Sequence, residues 1–530
     1  MTFPAGDFHV SRKNIIERRS RDIRESWQAM KVGKVYIIGA GPGDPGLITI
    51  RGMECLKISG VIVYDYLVGR DILGHARKDA RMIYVGKKGG NHSVSQDNLN
   101  RILVEEASEG NIVARLKGGD PFIFGRGGEE ALVLSEANIP FEIIPGVTSA
   151  IAVPAYGGIP LTHRNYTSTV AFVTGHEDPA KDESNIDWKS ISAIGTVVFL
   201  MGVRNLGHIV KNLIGGGKDP DTPAALIRWG TTPDQETLTG TLRDISRAAK
   251  ERNFSPPAMF VVGDVVNLRE KLNWFEKRPL FGRGVVITRP EGQSGEFAEL
   301  LRGKGAGVIY FPTIRITPPA DFSGLDRAIE NIEKYHWIIF TSANGVRFFF
   351  DRQTELGRDI RDLKGAGICA IGPATAGAIE KRGIRVDIMP GEYISEAVVN
   401  AFEALNMKGK KVLLPRAEVA RDVIPLGLSK LGAGVDAVAA YRTVNSGRKK
   451  SELIEMAHKV DIITFTSPST AANFMDIMGN DAGLLQNVRI ACIGPVTAAA
   501  VEKLGLKVDI MPESYTLSGL TEALATQIKN

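Results

Sequence analysis

The sequence predicts an α/β fold class, with a two-lobed N-terminal half and a two-lobed C-terminal half that contains an internal repeat. From Lys34 onward, short apolar runs that end in glycine alternate with helical stretches, as in parallel sheets whose strands are joined by helices. The chain of 530 residues is long enough for three or four lobes with separate cores. Two pairs of segments in the C-terminal half nearly repeat each other, which indicates two similar lobes.

Composition and charge exclude several classes of protein. Hydrophobic residues make up 43% and charged residues 24%, and the net charge of +5 is too small for a nucleic-acid coat. No apolar run approaches the roughly 18 residues that span a membrane. Cys55, Cys369 and Cys492 lie too far apart for a disulfide scaffold or a cysteine-based metal site. We expect a cytoplasmic protein without bound metal, in which residues 1–31 form a basic extension rather than a secretory signal.

The N-terminal half is predicted to form two lobes, about 32–148 and 149–274. Ser95 and Gly110 mark the ends of one helix in the first lobe. Proline and glycine then interrupt the pattern, so residues 275–282 are expected to form a linker. The predicted strands are KVYIIGAG, GVIVYDYLV, RMIYVGKKGG and NIVARLKGGD in the first lobe, and STVAFVTGH, GTVVFLMG, PAALIRWGTT and PAMFVVGDVV in the second.

The repeat lies in the C-terminal half, residues 283–530. WIIFTSANGVRFFFD resembles IITFTSPSTAANFMD, and IGPATAGAIEKRGIRVDIMP resembles IGPVTAAAVEKLGLKVDIMP. Strand and helix therefore alternate in the same order twice. Two such lobes would enclose a cleft that is lined by matching strand-end loops, where open α/β sheets bind ligands.

The loop Gly39–Asp44, GAGPGD, follows a strand and raises the alternative of dinucleotide binding. Asp44 replaces the third glycine of G-x-G-x-x-G, and Pro42 lacks the backbone N–H that a diphosphate would use. A neutral or cationic ligand fits the loop better. A tight turn without a ligand and, less favoured, a dinucleotide-dependent oxidoreductase stay open at this point.

A second glycine-rich segment, RLKGGDPFIFGRGGEE, begins at Arg115. Its paired glycines would let a ligand approach the backbone closely. Arg126 stands among glycines and is poorly explained by packing, but its guanidinium is suited to holding a carboxylate through two hydrogen bonds.

Eight motifs between Val35 and Trp274 together resemble those of the S-adenosyl-methionine:uroporphyrinogen-III C-methyltransferases. The resemblance implies a two-lobed tetrapyrrole methylase fold for residues 32–274, distinct from the Rossmann methyltransferases. The motifs are VYIIGAGPGDPGLITIRGMECL, VYDYLV, YVGKKGGNHSVSQ, RLKGGDPFIFGRGGEE, PGVTSA, GIPLTHR, VTGHE and FLMGV.

The resemblance also assigns roles to single residues. Asp65 corresponds to the proposed proton acceptor and Lys87 to the proposed proton donor; without the resemblance they would be a turn carboxylate and a surface charge. Arg126 and Arg164 are candidates for binding the carboxylates at the rim of the substrate. The residues expected to bind the cofactor S-adenosyl-methionine (SAM) are Pro42, Gly118, Gly119, Asp120, Ile123, Thr148, Ser149, Met201 and Gly230, with Ser149 in place of the family's alanine.

The C-terminal half resembles uroporphyrinogen-III synthase, whose two α/β lobes are joined by a two-stranded connection. One lobe would then comprise residues 283–317 with 443–530, and the other residues 318–442. The motifs are TRP, FTSANGV, IGPATA, LLPRAE, VAAYRT, FTSPST and IGPVTA.

This second resemblance implies a reaction without metal or organic cofactor. Tyr441 corresponds to the tyrosine proposed to assist departure of a hydroxyl group. For each serine and threonine in the site, an ordinary helix N-cap is an equally good interpretation, because capping and ligand binding use the same position. The candidate substrate-binding residues are Arg289, Ser342, Asn344, Thr375, Arg416, Ser467 and Thr497.

The two resemblances imply a bifunctional enzyme of tetrapyrrole biosynthesis. The C-terminal half would cyclise hydroxymethylbilane to uroporphyrinogen III with inversion of ring D. The N-terminal half would transfer methyl groups from SAM to C-2 and C-7, giving precorrin-2 and S-adenosyl-homocysteine, towards sirohaem or cobalamin. We expect these tetrapyrroles as partners, no nucleic acid or membrane, and a homodimer through the N-terminal half. A C-terminal half that binds tetrapyrroles without catalysis stays open as an alternative.

Overall fold

The computed structural model describes residues 32–86, 95–175, 185–479, 483–485 and 487–528. These residues form two compact units. Unit 1 contains the described residues up to Gly282 together with Lys304–Gly307, and unit 2 contains Arg283–Gly303 together with the described residues from Val308 onward. Among the helices described, none is long and apolar enough to cross a membrane.

The first lobe of unit 1 alternates strands and helices. Its elements are β1 (Lys34–Gly39), α1 (Ile50–Ile58), β2 (Val61–Tyr64), α2 (Arg70–Leu73), β3 (Arg81–Tyr84), α3 (Gln96–Ser108), β4 (Ile112–Lys117), α4 (Gly127–Glu136), β5 (Phe141–Ile144) and α5 (Ser149–Tyr156). The strands form a parallel sheet in the order β3-β2-β4-β1-β5. Strands β1 and β2 are apolar on both faces because helices cover both sides of the sheet. Ser95 caps α3 by accepting a hydrogen bond from the backbone N–H of Asn98, which confirms the predicted start of this helix.

The second lobe of unit 1 contains a mixed sheet. Its elements are β6 (Val170–Thr174), α6 (Trp188–Ser192), β7 (Thr196–Leu200), α7 (Leu206–Gly215), β8 (Pro223–Arg228), β9 (Glu236–Thr241), α8 (Ile245–Glu251), β10 (Ala258–Val262) and α9 (Arg269–Leu272). The sheet order is β6-β7-β10-β8-β9, and only the pair β6–β7 within it is parallel. The sequence did not predict β9, because its residues ETLTGT contain no apolar run.

Residues 275–282, expected to be a linker, pack against unit 1. Phe275 and Leu280 are buried. The ring of Phe275 lies 4.7 Å from the ring of Tyr156 at the end of α5. Burial of these two apolar side chains explains why the segment belongs to unit 1 rather than standing free as a connector.

Unit 2 contains two sheets. The elements from Gly284 onward are β11 (Gly284–Ile287), α10 (Gly295–Gly303), β12 (Gly307–Tyr310), β13 (Ile314–Thr317), α11 (Ser323–Glu330), β14 (Trp337–Phe340), α12 (Ala343–Glu355), β15 (Gly367–Ala370), α13 (Pro373–Glu380), α14 (Ser395–Glu403), β16 (Lys411–Ala417), α15 (Val423–Lys430), β17 (Gly434–Asn445), α16 (Lys450–Met456), β18 (Ile462–Phe465), α17 (Pro468–Met478), β19 (Arg489–Cys492), α18 (Pro495–Lys503) and α19 (Leu517–Gln527). The sheet orders are β12-β11-β18-β19 and β13-β17-β16-β14-β15.

Strand β13 lies in a different sheet from the one expected. The sequence assigns residues 283–317 to the first lobe, but β13 pairs antiparallel with β17 and so extends the second sheet. Strand β17 has 12 residues, and its last four, Arg442–Asn445, extend beyond the part that pairs with β16 and pair with β13. The pairing of β13 with β17 forms the two-stranded connection between the lobes.

The structure confirms the internal repeat down to single hydrogen bonds. In one lobe, Asp387 Oδ2 accepts from the backbone N–H of Ile368 at 2.8 Å. At the matching place in the other lobe, Asp509 Oδ2 accepts from the N–H of Ile490 at 2.9 Å. Each aspartate ties the loop that follows its GPxT helix to the edge of its sheet, so the two lobes present matching loops.

Candidate active sites

A cavity of about 680 Å³ lies in unit 1 at the carboxyl ends of β1, β2 and β4, with walls from both lobes. This edge is where open α/β sheets bind ligands, and the volume lies within the roughly 300–1,000 Å³ of small-molecule pockets. The structure thus brings together residues that are up to about 220 positions apart in the chain. The predicted site residues that line the cavity are Pro42, Asp65, Gly118, Gly119, Ile123, Arg126, Ser149, Met201 and Gly230.

Two glycine loops form one wall of this cavity. A Cβ atom at Gly118 would lie only 2.6 Å from the Cβ of Leu67, and Gly119 has a φ of +70°. The N–H of Gly119 donates to the carbonyl of Gly41 at 2.7 Å, and the N–H of Gly41 donates to the carbonyl of Gly119 at 3.2 Å. The wall therefore consists of backbone, which fits a ligand such as SAM that is held through peptide groups and apolar contacts.

Three of the predicted residues lie outside the cavity lining. Asp120 instead holds the loop in shape: its Oδ1 accepts from the N–H of Ile123 at 3.1 Å, and its Oδ2 accepts from the N–H of Gly146 at 3.0 Å. Thr148 is buried and caps α5. Arg164 is exposed on the second lobe. Asp120 and Thr148 therefore shape the site rather than form its surface.

The opposite wall contains backbone in unusual conformations. Met201, Trp229 and Thr231 have φ values of 58°, 49° and 70°, in the left-handed region that non-glycine residues rarely adopt. Such strain concentrates at ligand sites. Trp229 also packs edge-to-face on Tyr66 across the cavity, with 6.1 Å between the rings. The sequence analysis missed these two aromatic residues, although Tyr66 lies in the VYDYLV motif and Trp229 immediately follows β8.

Asp65 is held at the cavity wall by two hydrogen bonds. Its Oδ1 accepts from the N–H of Leu67 at 3.0 Å, and its Oδ2 accepts from Nη2 of Arg115 at 3.2 Å. Arg115 in turn contacts Glu130, which also binds Lys117. Burial, and next the positive charge of Arg115, lower the pKa of Lys117. The sequence analysis missed this buried group, although Arg115 and Lys117 alternate along one strand and so share a face.

Two predicted cations have different outcomes. Arg126 lines the cavity but is already paired: its Nε and Nη2 donate to the two oxygens of Glu129 at 2.8 and 2.6 Å. The hydrogen bond from Arg126 lowers the pKa of Glu129. Any substrate carboxylate would compete with this exposed ion pair. The predicted proton donor Lys87 lies outside the described residues.

The GAGPGD loop does not have the arrangement that dinucleotide binding requires. A three-residue 3-10 helix, Pro45–Leu47, follows the loop, so it does not lead directly into a long helix. Asp44 is engaged with the end of α5 and with the second lobe: its Oδ2 accepts from the hydroxyl of Tyr156 at 2.7 Å, and its N–H donates to Thr231 Oγ1 of the second lobe at 3.1 Å. The loop therefore joins the lobes, with its acidic residue already satisfied.

In unit 2, Tyr441 is buried beside the start of α12. Its hydroxyl lies 3.0 Å from Ser342 Oγ, and its ring stacks on that of Phe348. A β-bulge between Arg416 and Ala417 of the neighbouring strand shifts the register opposite Tyr441, and bulges commonly redirect a side chain in this way. Burial raises the pKa of Tyr441. The phenol is therefore kept protonated and able to donate.

Arg289 and Asn344 are linked through Gln293. Arg289 Nε donates to the carbonyl of Gln293 at 3.2 Å, and Gln293 Nε2 donates to Oδ1 of Asn344 at 2.7 Å. Burial lowers the pKa of Arg289. This chain runs from the end of β11 in one lobe to the start of α12 in the other, and it brings two predicted residues together across the lobes.

The remaining predicted site residues of unit 2 contact groups close to them in the chain. Ser342 and Ser467 cap α12 and α17, as the N-cap interpretation predicts. Thr375 and Thr497 occupy matching buried positions in the first turns of α13 and α18. Arg416, a candidate for binding a substrate carboxylate, donates to Oδ1 of its neighbour Asp422 at 2.7 Å, so a substrate would compete with this ion pair.

Two exposed tyrosines were not predicted. Tyr393 packs on Gly372 in one lobe, and Tyr515 packs on Gly494 in the other; in each case a Cβ atom on the glycine would meet the ring at 3.0–3.2 Å. Both side chains lie beside the start of a GPxT helix. Their identical place in the two repeats was the signal that could have found them.

Comparison with known proteins assigns both halves. Residues 34–246 match the family model "Tetrapyrrole (Corrin/Porphyrin) Methylases", and residues 295–522 match "Uroporphyrinogen-III synthase HemD". A "Porphyrin biosynthesis protein HemD" of Ruminiclostridium josui is 39% identical over 93% of this chain and 98% of its own length. A uroporphyrinogen-III C-methyltransferase of Methanocaldococcus jannaschii is 53% identical over 44% of this chain and 98% of its own length.

Among solved structures, the uroporphyrin-III C-methyl transferase of Thermus thermophilus complexed with S-adenosyl homocysteine is similar to unit 1. It is 36% identical, covers 44% of this chain and 100% of its own, and superimposes with a TM-score of 0.39. The match to the Ruminiclostridium josui protein extends over both units and nearly the full length of each chain. The chain therefore belongs to the family of fused proteins in which a tetrapyrrole methylase half precedes a uroporphyrinogen-III synthase half.

Proposed function

We propose that this chain makes uroporphyrinogen III from hydroxymethylbilane in unit 2 and methylates it at C-2 and C-7 in unit 1, giving precorrin-2. The observation that carries the proposal is the cavity of unit 1, which gathers nine predicted SAM-site and substrate-site residues at one sheet edge. The similarity to a uroporphyrinogen-III C-methyltransferase over 98% of that protein's length supports the same reaction. Linking the two activities in one chain raises the local concentration of the intermediate.

In unit 1, backbone and apolar groups hold the cofactor. SAM supplies an electrophilic methyl group when bound. Pro42, Gly118 and Gly119 offer a close-fitting wall, and Met201 and Gly230 face them from the second lobe. Alignment of the two reactants is the main contribution that such a site makes to methyl transfer.

Asp65 is the group proposed to act on the tetrapyrrole. Positive charge develops on a pyrrole ring as its carbon accepts a methyl group, and the ring then loses a proton. A carboxylate at the cavity wall stabilises that charge and accepts that proton. Arg115 and the N–H of Leu67 hold the carboxylate in place for this role.

In unit 2, Tyr441 assists loss of the hydroxyl group from hydroxymethylbilane. Its protonated phenol donates towards the departing oxygen, so that water leaves as the ring closes. Ser342 orients the phenol through the 3.0 Å contact between their oxygens. Hydroxyl groups and helix N-terminal N–H groups of both lobes donate hydrogen bonds to the carboxylates of the macrocycle.

Several finer expectations are part of the same proposal. The family resemblance supports a homodimer through unit 1, a cytoplasmic location and reactions that need no metal. Light scattering of the full chain tests the dimer, and assays in the presence of a chelator test the need for metal. A monomer at micromolar concentration, or loss of activity with chelator, would refute the corresponding part.

The decisive experiment is incubation of the full chain with hydroxymethylbilane and SAM. The expected product is a dimethylated dipyrrocorphin, detected by its absorbance and mass. Asp65→Asn should strongly reduce the rate of methylation, to a residual level that can still be measured, while uroporphyrinogen III accumulates. If only the spontaneously formed isomer I appears, unit 2 binds tetrapyrroles without catalysis. Binding of NADH without binding of SAM would instead favour the oxidoreductase.

A further inference from the structure

We propose that Glu130 is a positioning residue for methyl transfer, which holds the carboxylate of Asp65 at the cavity wall by fixing Arg115, with Lys117 completing the cluster. The inference rests on the proposed function of unit 1, because it concerns residues that support that site. Glu130 acts through another residue, since Arg115 stands between it and Asp65.

The four side chains form a continuous chain of charge-assisted hydrogen bonds. Asp65 Oδ2 accepts from Nη2 of Arg115 at 3.2 Å, and Arg115 Nε donates to Oε1 of Glu130 at 3.3 Å. The same oxygen of Glu130 accepts from Nζ of Lys117 at 2.5 Å. Arg115 is fixed further because its Nη1 donates to the carbonyl of Leu116 at 2.6 Å. Charge-assisted bonds of this kind are stronger than neutral ones, so the chain can transmit position.

Only one end of the cluster is open. The side chains of Arg115, Lys117 and Glu130 are 4%, 6% and 0% exposed, whereas that of Asp65 is 26% exposed. Two cations balance two carboxylates, which makes it possible to bury the charges. Asp65 and Lys117 both contribute to the cavity lining, and of the four side chains only that of Asp65 is appreciably exposed.

Stability alone explains this cluster poorly. Buried ion pairs often stabilise a fold no better than apolar side chains of similar size. Among the described residues, Oε2 of Glu130 has no hydrogen-bond partner, although it is buried. Such an unsatisfied buried oxygen is costly and calls for a reason beyond packing. Holding Arg115 in one orientation behind Asp65 provides that reason.

A double-mutant cycle in the full chain tests the proposal. The variants are Glu130→Gln, Asp65→Asn and the two combined, and the readouts are kcat for methyl transfer and KM for SAM. Glu130→Gln should lower kcat about 10- to 100-fold, as expected for misplacement of a reacting group, and leave KM for SAM nearly unchanged. In the Asp65→Asn background, Glu130→Gln should change kcat less than about twofold, because the group it positions is already disabled.

A second pair of variants controls for loss of a buried charge. Lys218 is half-buried, donates from Nζ to the carbonyl of Ile194 at 2.6 Å, and has a pKa lowered by burial, but it lies outside the cavity lining. Lys218→Met should leave kcat unchanged, whereas Lys117→Met should lower it. If Glu130→Gln does not fold, the cycle is run with Lys117→Met in its place.

The outcomes separate the two proposals. A wild-type chain that transfers no methyl group refutes the proposed function itself. If the wild-type chain is active but Glu130→Gln lowers kcat equally with and without Asp65, the role of Glu130 is structural and the inference fails. Equal effects of Lys117→Met and Lys218→Met would overturn it as well.

Discussion

The proposed catalytic residues of the two sites differ mainly in their exposure to solvent. Asp65 keeps a quarter of its side chain exposed at a cavity wall, while Tyr441 is buried against Phe348 and Ser342. A carboxylate exposed at the cavity wall can reach a proton on the substrate. A phenol that donates needs to stay protonated, and burial serves that need. The two environments thus suit opposite directions of proton transfer.

The hydroxyl of Tyr441 can be tested without disturbing the fold. Tyr441→Phe should reduce ring closure on the order of 10²-fold, the usual contribution of a general acid, while methyl transfer to added uroporphyrinogen III is unchanged. Tyr335→Phe is a matched control, because Tyr335 is also buried in this lobe and donates to Asp436 at 2.7 Å. Both reactions are assayed on both variants. If Tyr441→Phe and Tyr335→Phe lose ring closure equally, Tyr441 only supports the fold.

The three cysteines are expected to be inert in the folded chain. Burial raises the pKa of Cys55, Cys369 and Cys492 to about 12. The reactive thiolate is therefore scarce at pH 8, and access is blocked as well. Iodoacetamide at pH 8 should modify none of the three in native protein and all three in 6 M guanidinium, as measured by mass spectrometry. Rapid labelling of a native cysteine would contradict its described burial.

The sequence predicted residues that sit in distinctive motifs and missed those defined only by packing. Asp65 and Tyr441 could be proposed as catalytic residues because the residues on either side of them form recognisable motifs. Glu130 could not, since a glutamate in the first turns of a helix normally faces solvent. Only the fold shows that this carboxylate is enclosed between α4 and the alternating cations of β4.

Among the structural elements, the loops after strands decide what each lobe can bind. The loop after β4 has its backbone at the cavity surface because glycine leaves no side chain there. The sequence predicted strands where apolar runs occur. It missed β9 because the residues of that strand, ETLTGT, contain no apolar run. Strand β13 was placed in the wrong lobe, because the sheet that a strand joins depends on its pairing partner. Its partner here is β17, which comes much later in the chain.

The loop after β4 can be tested by adding a single methyl group. A Cβ atom at Gly118 would lie 2.6 Å from that of Leu67, so Gly118→Ala must displace the loop at the cavity wall. Affinity for SAM should fall about tenfold or more, as expected when about 1.4 kcal/mol of contact is lost. Gly128→Ala is the control, because nothing lies within 4 Å of its added atom. Calorimetric titration with SAM measures both, and unchanged affinity in Gly118→Ala would place the cofactor elsewhere.

Over the whole molecule, two units carry two reactions, and each unit has its own hydrophobic core. The sequence predicted this division because the motifs of two families follow one another along the chain. It did not predict that residues 275–282 pack on unit 1, since proline and glycine there are typical of a free linker.

Ligand binding should reveal the two units separately. S-adenosyl-homocysteine at about 100 times its Kd should stabilise unit 1 by about 2.7 kcal/mol. For a unit of this size that raises the melting temperature by roughly 5–10 °C. Differential scanning calorimetry should show two transitions, of which only one moves. A single transition that shifts as a whole would mean that the units unfold together.

The nesting of one lobe within the other has a consequence for synthesis on the ribosome. The chain leaves the outer lobe of unit 2 before β13 and returns to it only after β17, and β18 and β19 complete the outer sheet. All strands of the inner sheet have therefore emerged before the outer lobe can close. The inner lobe becomes a finished fold while its host is still half made, and a ribosome that stalls before β18 has emerged would leave β11 without that partner.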